Sequence, residues 1–197
     1  LVGSEMCIRD RFKSIVQSVI SFSKLIPHQI YKMVLEKLNQ AEFITLLGSI
    51  YEHSPWVAQA LYTEGITSED NDVDFLASRM KTIVDASSQE TRLNLLKAHP
   101  ELAGKLAITA KLTEDSTAEQ ASAGLDQCSK EEFAEFRKLN FQYTERFGHP
   151  FIIAVRGLTR SEILLAFKQR INNDNQTEFE AALIEVHKIA LLRLKAL

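Results

Sequence analysis

Glycine and proline are scarce in this 197-residue chain, with 7 and 4 copies. That argues against collagen-like, low-complexity or loop-dominated all-β architectures. Two cysteines, Cys7 and Cys128, cannot build a disulfide framework and fit a reducing compartment. No window approaches the ~20 consecutive apolar residues that span a bilayer, which excludes a membrane span. There is no Walker loop, no G-x-G-x-x-G and no G-x-S-x-G, so neither a nucleotide cradle nor a hydrolase elbow is encoded. The histidines at 28, 53, 99, 149 and 187 show neither H-x-x-x-H nor H-E-x-x-H spacing, so no metal site is expected. What is present is ordinary for a globular domain. Hydrophobic residues make up 45% and charged residues 25%, enough apolar material for one sizeable core.

Charge is distributed unevenly. Residues 1–32 hold Arg9, Arg11, Lys13, Lys24 and Lys32 against Glu5 and Asp10, a balance of +3, and the whole chain is −3, so residues 33–197 carry −6. An acidic body is a poor ligand for duplex nucleic acid, whose binding rests on Lys and Arg neutralising phosphates. Residues 1–11, LVGSEMCIRDR, resemble translated sequencing-adapter sequence. The stretch that follows lacks the long h-region and cleavage site of a signal peptide. Residues 1–32 are therefore expected to be a non-native or disordered extension, with Met33 a plausible start and 33–197 the working domain.

From Met33 the pattern is helical. Phe43, Leu46, Leu47, Ile50 and Tyr51 recur at i, i+3, i+4, i+7 and i+8, the stripe of an amphipathic helix. Ser54-Pro55 reads as an N-cap and a first-turn proline ahead of Trp56, Val57, Ala60 and Leu61. Val73, Leu76, Ala77, Met80, Ile83 and Val84 form the next stripe. Ser87/Glu90, Ser116/Glu119, Ser129/Glu132, Thr159/Glu162 and Thr177/Glu180 each match the S/T-x-x-E capping box. Gly148 stands where a left-handed C-terminal cap wants glycine. The one strand-like run, residues 151–155, is too isolated to build a sheet. These signals predict a single compact all-α domain of about eight helices.

Candidate chemistry sits where this regularity breaks. Pro100 forces the residue before it out of the α region, so His99 should end a helix, where the macrodipole favours an imidazolium. The same position suits a plain C-capping histidine. Glu119 has a bland reading as the N3 residue of a capping box with Ser116, yet the small and polar residues 120–124 after it leave room for a ligand. Phe179, Ala182, Leu183, Val186, Ile189 and Ala190 share one helix face, and the next step lands on Arg193. A charge on a core-facing stripe is costly unless paired. Three readings stay open for it: a snorkelling stem near a frayed end, an internal carboxylate partner, or an anionic ligand. Cys128 lacks a local activating group and reads as structural, and Trp56 reads as core.

Ser54-Pro55-Trp56-Val57-Ala58, Ala98-His99-Pro100-Glu101-Leu102-Ala103-Gly104, Ser116-Thr117-Ala118-Glu119-Gln120, Phe147-Gly148-His149-Pro150-Phe151 and Leu192-Arg193-Leu194 stand in that order. Together, over about 33–197, they closely resemble the 2-oxo-4-hydroxy-4-carboxy-5-ureidoimidazoline (OHCU) decarboxylase family of the urate pathway. The resemblance implies an all-α carboxy-lyase without a cofactor or metal, delivering (S)-allantoin from OHCU. It implies His99 as proton donor, with Glu119 and Arg193 completing the catalytic set. Substrate contacts would come from Pro100, Ser116, Thr117, Ala118, Glu119, Gln120 and Arg193, and from the backbone of Phe151, Ile152, Ile153, Ala154 and Val155.

Physical reasoning agrees with that assignment. Loss of CO2 leaves electron density that preorganised donors must stabilise and that a positioned acid must protonate. Arg193 would hold substrate oxygens bidentately, His99 would relay the proton, and Glu119 and Gln120 would orient it or contact the substrate hydroxyl. Two other classes compete, a non-catalytic helical binding module and an interaction protein using residues 1–32 as an amphipathic arm. The first would tolerate changes at His99 and Glu119; the second would fail without the arm. No membrane or nucleic-acid partner is expected. Whether the chain works alone or as a homodimer is left open, and the C-terminal Lys195-Ala196-Leu197 is not the S-K-L peroxisomal address, which leaves a cytoplasmic setting.

Overall fold

The computed structural model describes residues 35–103 and 113–197. The extension at 1–32 and Gly104 of the histidine motif lie outside the described residues. Eight α-helices and no β-strand occur among the described residues: α1 (Gln40–Leu47), α2 (Trp56–Glu64), α3 (Val73–Ala86), α4 (Gln89–Lys97), α5 (Glu114–Ser122), α6 (Lys130–Phe147), α7 (Arg160–Arg170) and α8 (Asn175–Leu194). None of them is long and apolar enough to cross a membrane.

Helical periodicity builds two cores. Leu76, Met80 and Val84 recur every four residues along α3 and are buried, while Asp74, Ser78 and Lys81 face solvent. They meet Phe43 and Leu47 of α1, Leu61 of α2, Leu95 and Leu96 of α4, and Val186 and Ile189 of α8 in the first core. Phe136 and Tyr143 of α6 pack with Ile163 and Phe167 of α7, Leu125 and Phe151 in the second. Each such side chain contributes about 1.5–3 kcal/mol by leaving water.

Residues 151–155 run between the two cores as a lone extended segment. Ile152 and Ala154 pack into the first core, whereas Phe151, Ile153 and Val155 pack into the second. This alternation is the period of two of an extended chain, here without a neighbouring strand. Side chains therefore meet part of its backbone: Arg170 donates to the Ile152 carbonyl at 2.7 Å, and Glu185 accepts from the Ala154 N–H at 2.9 Å.

The capping signals held unevenly. Ser129/Glu132 and Thr159/Glu162 form reciprocal capping boxes, and Gly148 closes α6 at φ +73°. Ser88 rather than Ser87 caps α4, Asp174 rather than Thr177 caps α8, and Thr113 rather than Ser116 caps α5. In each case a neighbouring Ser, Thr or Asp offers the same hydroxyl or carboxylate acceptor, and packing decides which residue turns outward. The first stripe also ends early: α1 stops at Leu47, and Ile50 and Tyr51 are buried from the turn that follows. Pro55 takes helical angles immediately before Trp56.

Candidate active site

Three stretches and the end of α8 converge on one cleft. His99, Pro100 and Leu102 come from the loop after α4; Ser116, Glu119 and Gln120 from α5; residues 151–156 from the extended segment; Ile189, Leu192 and Arg193 from α8.

Pro100 ends α4 as expected, and Ala98 is its C-cap. The His99 Nδ1 lies 3.0 Å from the Leu95 carbonyl four residues back. A carbonyl only accepts, so Nδ1 carries the hydrogen and Nε2 of the neutral ring is a lone pair. The capping and the functional readings of His99 are thus compatible, one for each nitrogen. The expected imidazolium is not what the fold favours. Burial pushes the ring down to about 4; the Leu95 carbonyl and the Glu52 charge oppose this, while Arg193 and His53 add to it. Desolvation outweighs the helix end because the ring is only 8% exposed.

Gln120 fixes the loop that carries His99. Its Oε1 accepts from the Ala103 N–H at 3.1 Å, and its Nε2 donates to the Glu101 carbonyl at 3.3 Å. Ala103 is held at φ +48°, a left-handed conformation that an alanine adopts only under constraint.

Arg193 is 5% exposed and engaged at every nitrogen. Nε and Nη2 grip Glu119 in a fork, both at 2.9 Å, and Nη2 also donates to the Ser116 hydroxyl at 3.2 Å. Nη1 donates to the Ser49 carbonyl at 3.3 Å. Glu52 Oε2 lies 2.7 Å from Nη1 but is not aligned for a hydrogen bond, so that contact is an ion pair. Burial disfavours the guanidinium, yet the bonds and charge of Glu119, with Glu52, raise its pKa above the ordinary arginine value. Of the three readings, the internal carboxylate describes this geometry. A bidentate grip on substrate would require Arg193 to exchange partners it already holds.

Glu52 escaped sequence reasoning. It is 1% exposed, and its Oε1 accepts from the Thr113 hydroxyl at 2.6 Å. Burial raises its pKa, but Thr113, Arg193 and the Ser116 hydroxyl together hold it below the usual carboxylate value. One guanidinium thus faces two carboxylates beside a neutral histidine. Arg156 was also missed. It is exposed, lines the cleft, donates to the Leu192 carbonyl at 3.4 Å, and has no carboxylate partner among the described residues. A single Glu in a turn and a single Arg after an apolar run carry no periodic signal.

The remaining candidates are spread out. Phe151, Ile152, Ile153, Ala154 and Val155 all line the cleft, and the N–H groups of Ile153 and Val155 take no partner among the described residues. Thr117 is exposed and donates its hydroxyl to the Thr113 carbonyl, outside the cleft. Ala118 borders an adjoining cavity that shares Glu119, Arg156 and Arg193 with the cleft. Cys128 packs against the second core, its thiol pushed up by burial, and Trp56 packs against the first. His149 is buried edge-on to Tyr143, with Nδ1 at the Pro150 carbonyl.

Comparison with known proteins gives this cleft a family. The chain is 41% identical over 167 residues to a 2-oxo-4-hydroxy-4-carboxy-5-ureidoimidazoline decarboxylase of Haloferax volcanii, covering 85% of this chain and 95% of that protein. It is 39% identical over 169 residues to the protein of the same name from Halalkalicoccus jeotgali, covering 84% and 92%. A crystal structure of (S)-allantoin synthase superposes with a TM-score of 0.67 at 34% identity over 84% of this chain. The chain spans about half of that protein, 53% of its length. The family model of OHCU decarboxylase matches residues 36–195, and the chain belongs to that family.

Proposed function

We propose that this chain decarboxylates 2-oxo-4-hydroxy-4-carboxy-5-ureidoimidazoline to (S)-allantoin in urate degradation, without a cofactor. The activity is the one its relatives are named for. The observation that carries the residue roles is His99: Nδ1 tied to Leu95, and Nε2 without a partner among the described residues on a ring that lines the cleft of Glu119 and Arg193.

The substrate bears its hydroxyl and carboxylate on one ring carbon. Breaking the bond to the carboxylate releases CO2 and moves the electron pair into the neighbouring C=N, whose nitrogen takes a proton from water. An enol remains. It becomes allantoin when the hydroxyl loses its proton and the ureido-bearing carbon gains one. A neutral His99 fits both halves: Nε2 accepts the hydroxyl proton, and the imidazolium so formed is the acid that protonates carbon. Glu119, aimed by Arg193, orients the hydroxyl, and the N–H groups of Ile153 and Val155, which have no partner among the described residues, serve developing negative charge on substrate oxygen. Arg156, which has no carboxylate partner among the described residues, attracts the substrate carboxylate. Pro100 and Ser116 shape the pocket around these groups.

The test is circular dichroism of allantoin formed from freshly generated substrate. OHCU decays spontaneously to racemic allantoin, so a rapid (S)-allantoin signal supports the reading, and a racemic product at the uncatalysed rate from folded protein sinks it. The working unit is residues 33–197, supported by the family match over 36–195; removing 1–32 should leave turnover and solubility unchanged. The free thiol of Cys128 fits a reducing, cytoplasmic setting.

A further inference from the structure

Arg193 and Glu119 already form a complete pair, a fork of two charge-assisted bonds. A second buried carboxylate adds a desolvation cost of several kcal/mol that neutralising Arg193 does not require. Glu52 is nevertheless there, held by the Thr113 hydroxyl at 2.6 Å and against Nη1 of Arg193 at 2.7 Å. The backbone beside it is strained as well. His53 takes φ +48°, and His53 and Ala103 are the two non-glycine residues with positive φ among the described residues. Ala103 belongs to the loop of His99 and His53 to the turn of Glu52, so both strained positions flank groups around Arg193.

We propose that Glu52 is a positioning residue of the reaction: it fixes Arg193 at the nitrogen Glu119 does not reach, and supplies the negative charge against which His99 takes up a proton in turnover. This rests on the decarboxylase reading. With Glu119 neutralising Arg193, Glu52 is the surplus charge. The groups acting on His99 are then few. Glu52 favours the imidazolium, Arg193 and His53 oppose it, and Glu119 lines the same cleft. Burial keeps the resting ring neutral; the charge of Glu52 limits the cost of the transient cation.

The experiment compares wild type, Glu52→Gln and Glu52→Asp in steady-state turnover, thermal unfolding and an NMR titration of the His99 ring. Glu52→Gln keeps size and a hydrogen-bonding oxygen but removes the charge. It should lower kcat about 10- to 100-fold, the scale for groups that orient a reacting side chain, with KM little changed and the His99 midpoint moved to lower pH. Glu52→Asp withdraws the carboxylate from Arg193, so it should lose kcat while keeping the midpoint near that of wild type. A folded Glu52→Gln protein with wild-type kcat and midpoint overturns the proposal. If Glu52→Gln does not fold, folded Glu52→Asp decides, and wild-type kcat there overturns it equally. A wild type that makes only racemic allantoin sinks the decarboxylase reading instead, and the His99 titration then still tests the charge effect of Glu52.

Discussion

Arg170 and Arg193 are both largely buried, both grip a glutamate through Nε and Nη2, and both lie beside residues 151–155. Arg170 sits in the second core. It faces Glu178, stacks on Phe151 with its guanidinium 4.7 Å from the ring centre, and donates to the Ile152 carbonyl. Glu178 is fully buried and also accepts from Tyr143 and from Asn173 at 2.8 Å. Burial first, and then Glu178, drive the Tyr143 pKa far up, so the phenol stays a donor. That network is closed, one cation to one carboxylate with neutral donors around it. Arg193 meets two carboxylates and borders a cleft beside a histidine whose Nε2 has no partner among the described residues. On the proposed reading, the same kind of ion pair serves structure at Arg170 and chemistry at Arg193, according to its charge balance and its access to a ligand. The two are linked, because Arg170 holds the segment whose next residues line the cleft.

Four measurements distinguish the Arg193 side from the Arg170 side. On the Arg193 side, His99→Gln should reduce kcat by about 10²–10⁴-fold, the range for a positioned acid–base group, while the protein still unfolds cooperatively. Near-normal turnover, corrected for spontaneous decay, would remove the acid–base role. On the Arg170 side, Glu178→Gln leaves a buried guanidinium uncompensated and should cost about 3–5 kcal/mol in denaturant unfolding. A loss under about 1 kcal/mol, the level of an exposed pair, would put Arg170 and Arg193 in one class.

Acid titration separates the two sides more finely. The unfolded His99 ring titrates near 6.5 and the folded one at about 4, so the unfolded chain binds the extra proton in that window. Stability from keeping His99 neutral is complete above 6.5, falls as pH drops towards 4, and is gone below; it amounts to about 3 kcal/mol. Burial lowers His149 and His187 in the same sense. His99→Gln should flatten the slope between pH 6.5 and 4 without abolishing it, and an unchanged slope would mean that the ring is already charged in the fold. The smallest effect is expected at Arg156, which is exposed. Arg156→Gln should lower kcat/KM about 3- to 10-fold at low salt and weaken its salt dependence, with kcat retained. Equal values at all ionic strengths would remove Arg156 from substrate capture.

Much of this was legible in the sequence. Arg193 stood out because it breaks an apolar stripe, and the position of His99 followed from Pro100. The lone segment at 151–155 was visible between a capping glycine and a capping threonine. What could not be read was long-range pairing. Thr113 rather than Ser116 caps α5, and its hydroxyl also donates to Glu52, 61 residues away in sequence. Whether His99 is charged depended on how deeply the ring is buried, and the helix end pointed the opposite way. Arg193 looked available to a ligand because its partners, Glu52, Ser116 and Glu119, come from other parts of the chain.

The bond from His99 to Leu95 has a stereochemical consequence. A free imidazole can spin and swap its nitrogens, approaching a planar intermediate from above or below. A ring moored by Nδ1 to the preceding helical turn offers a single nitrogen from a fixed direction. Under the proposed acid–base role, an enol lying in the cleft would be protonated on one face only, and the geometry of the end of α4 would set the handedness of the product.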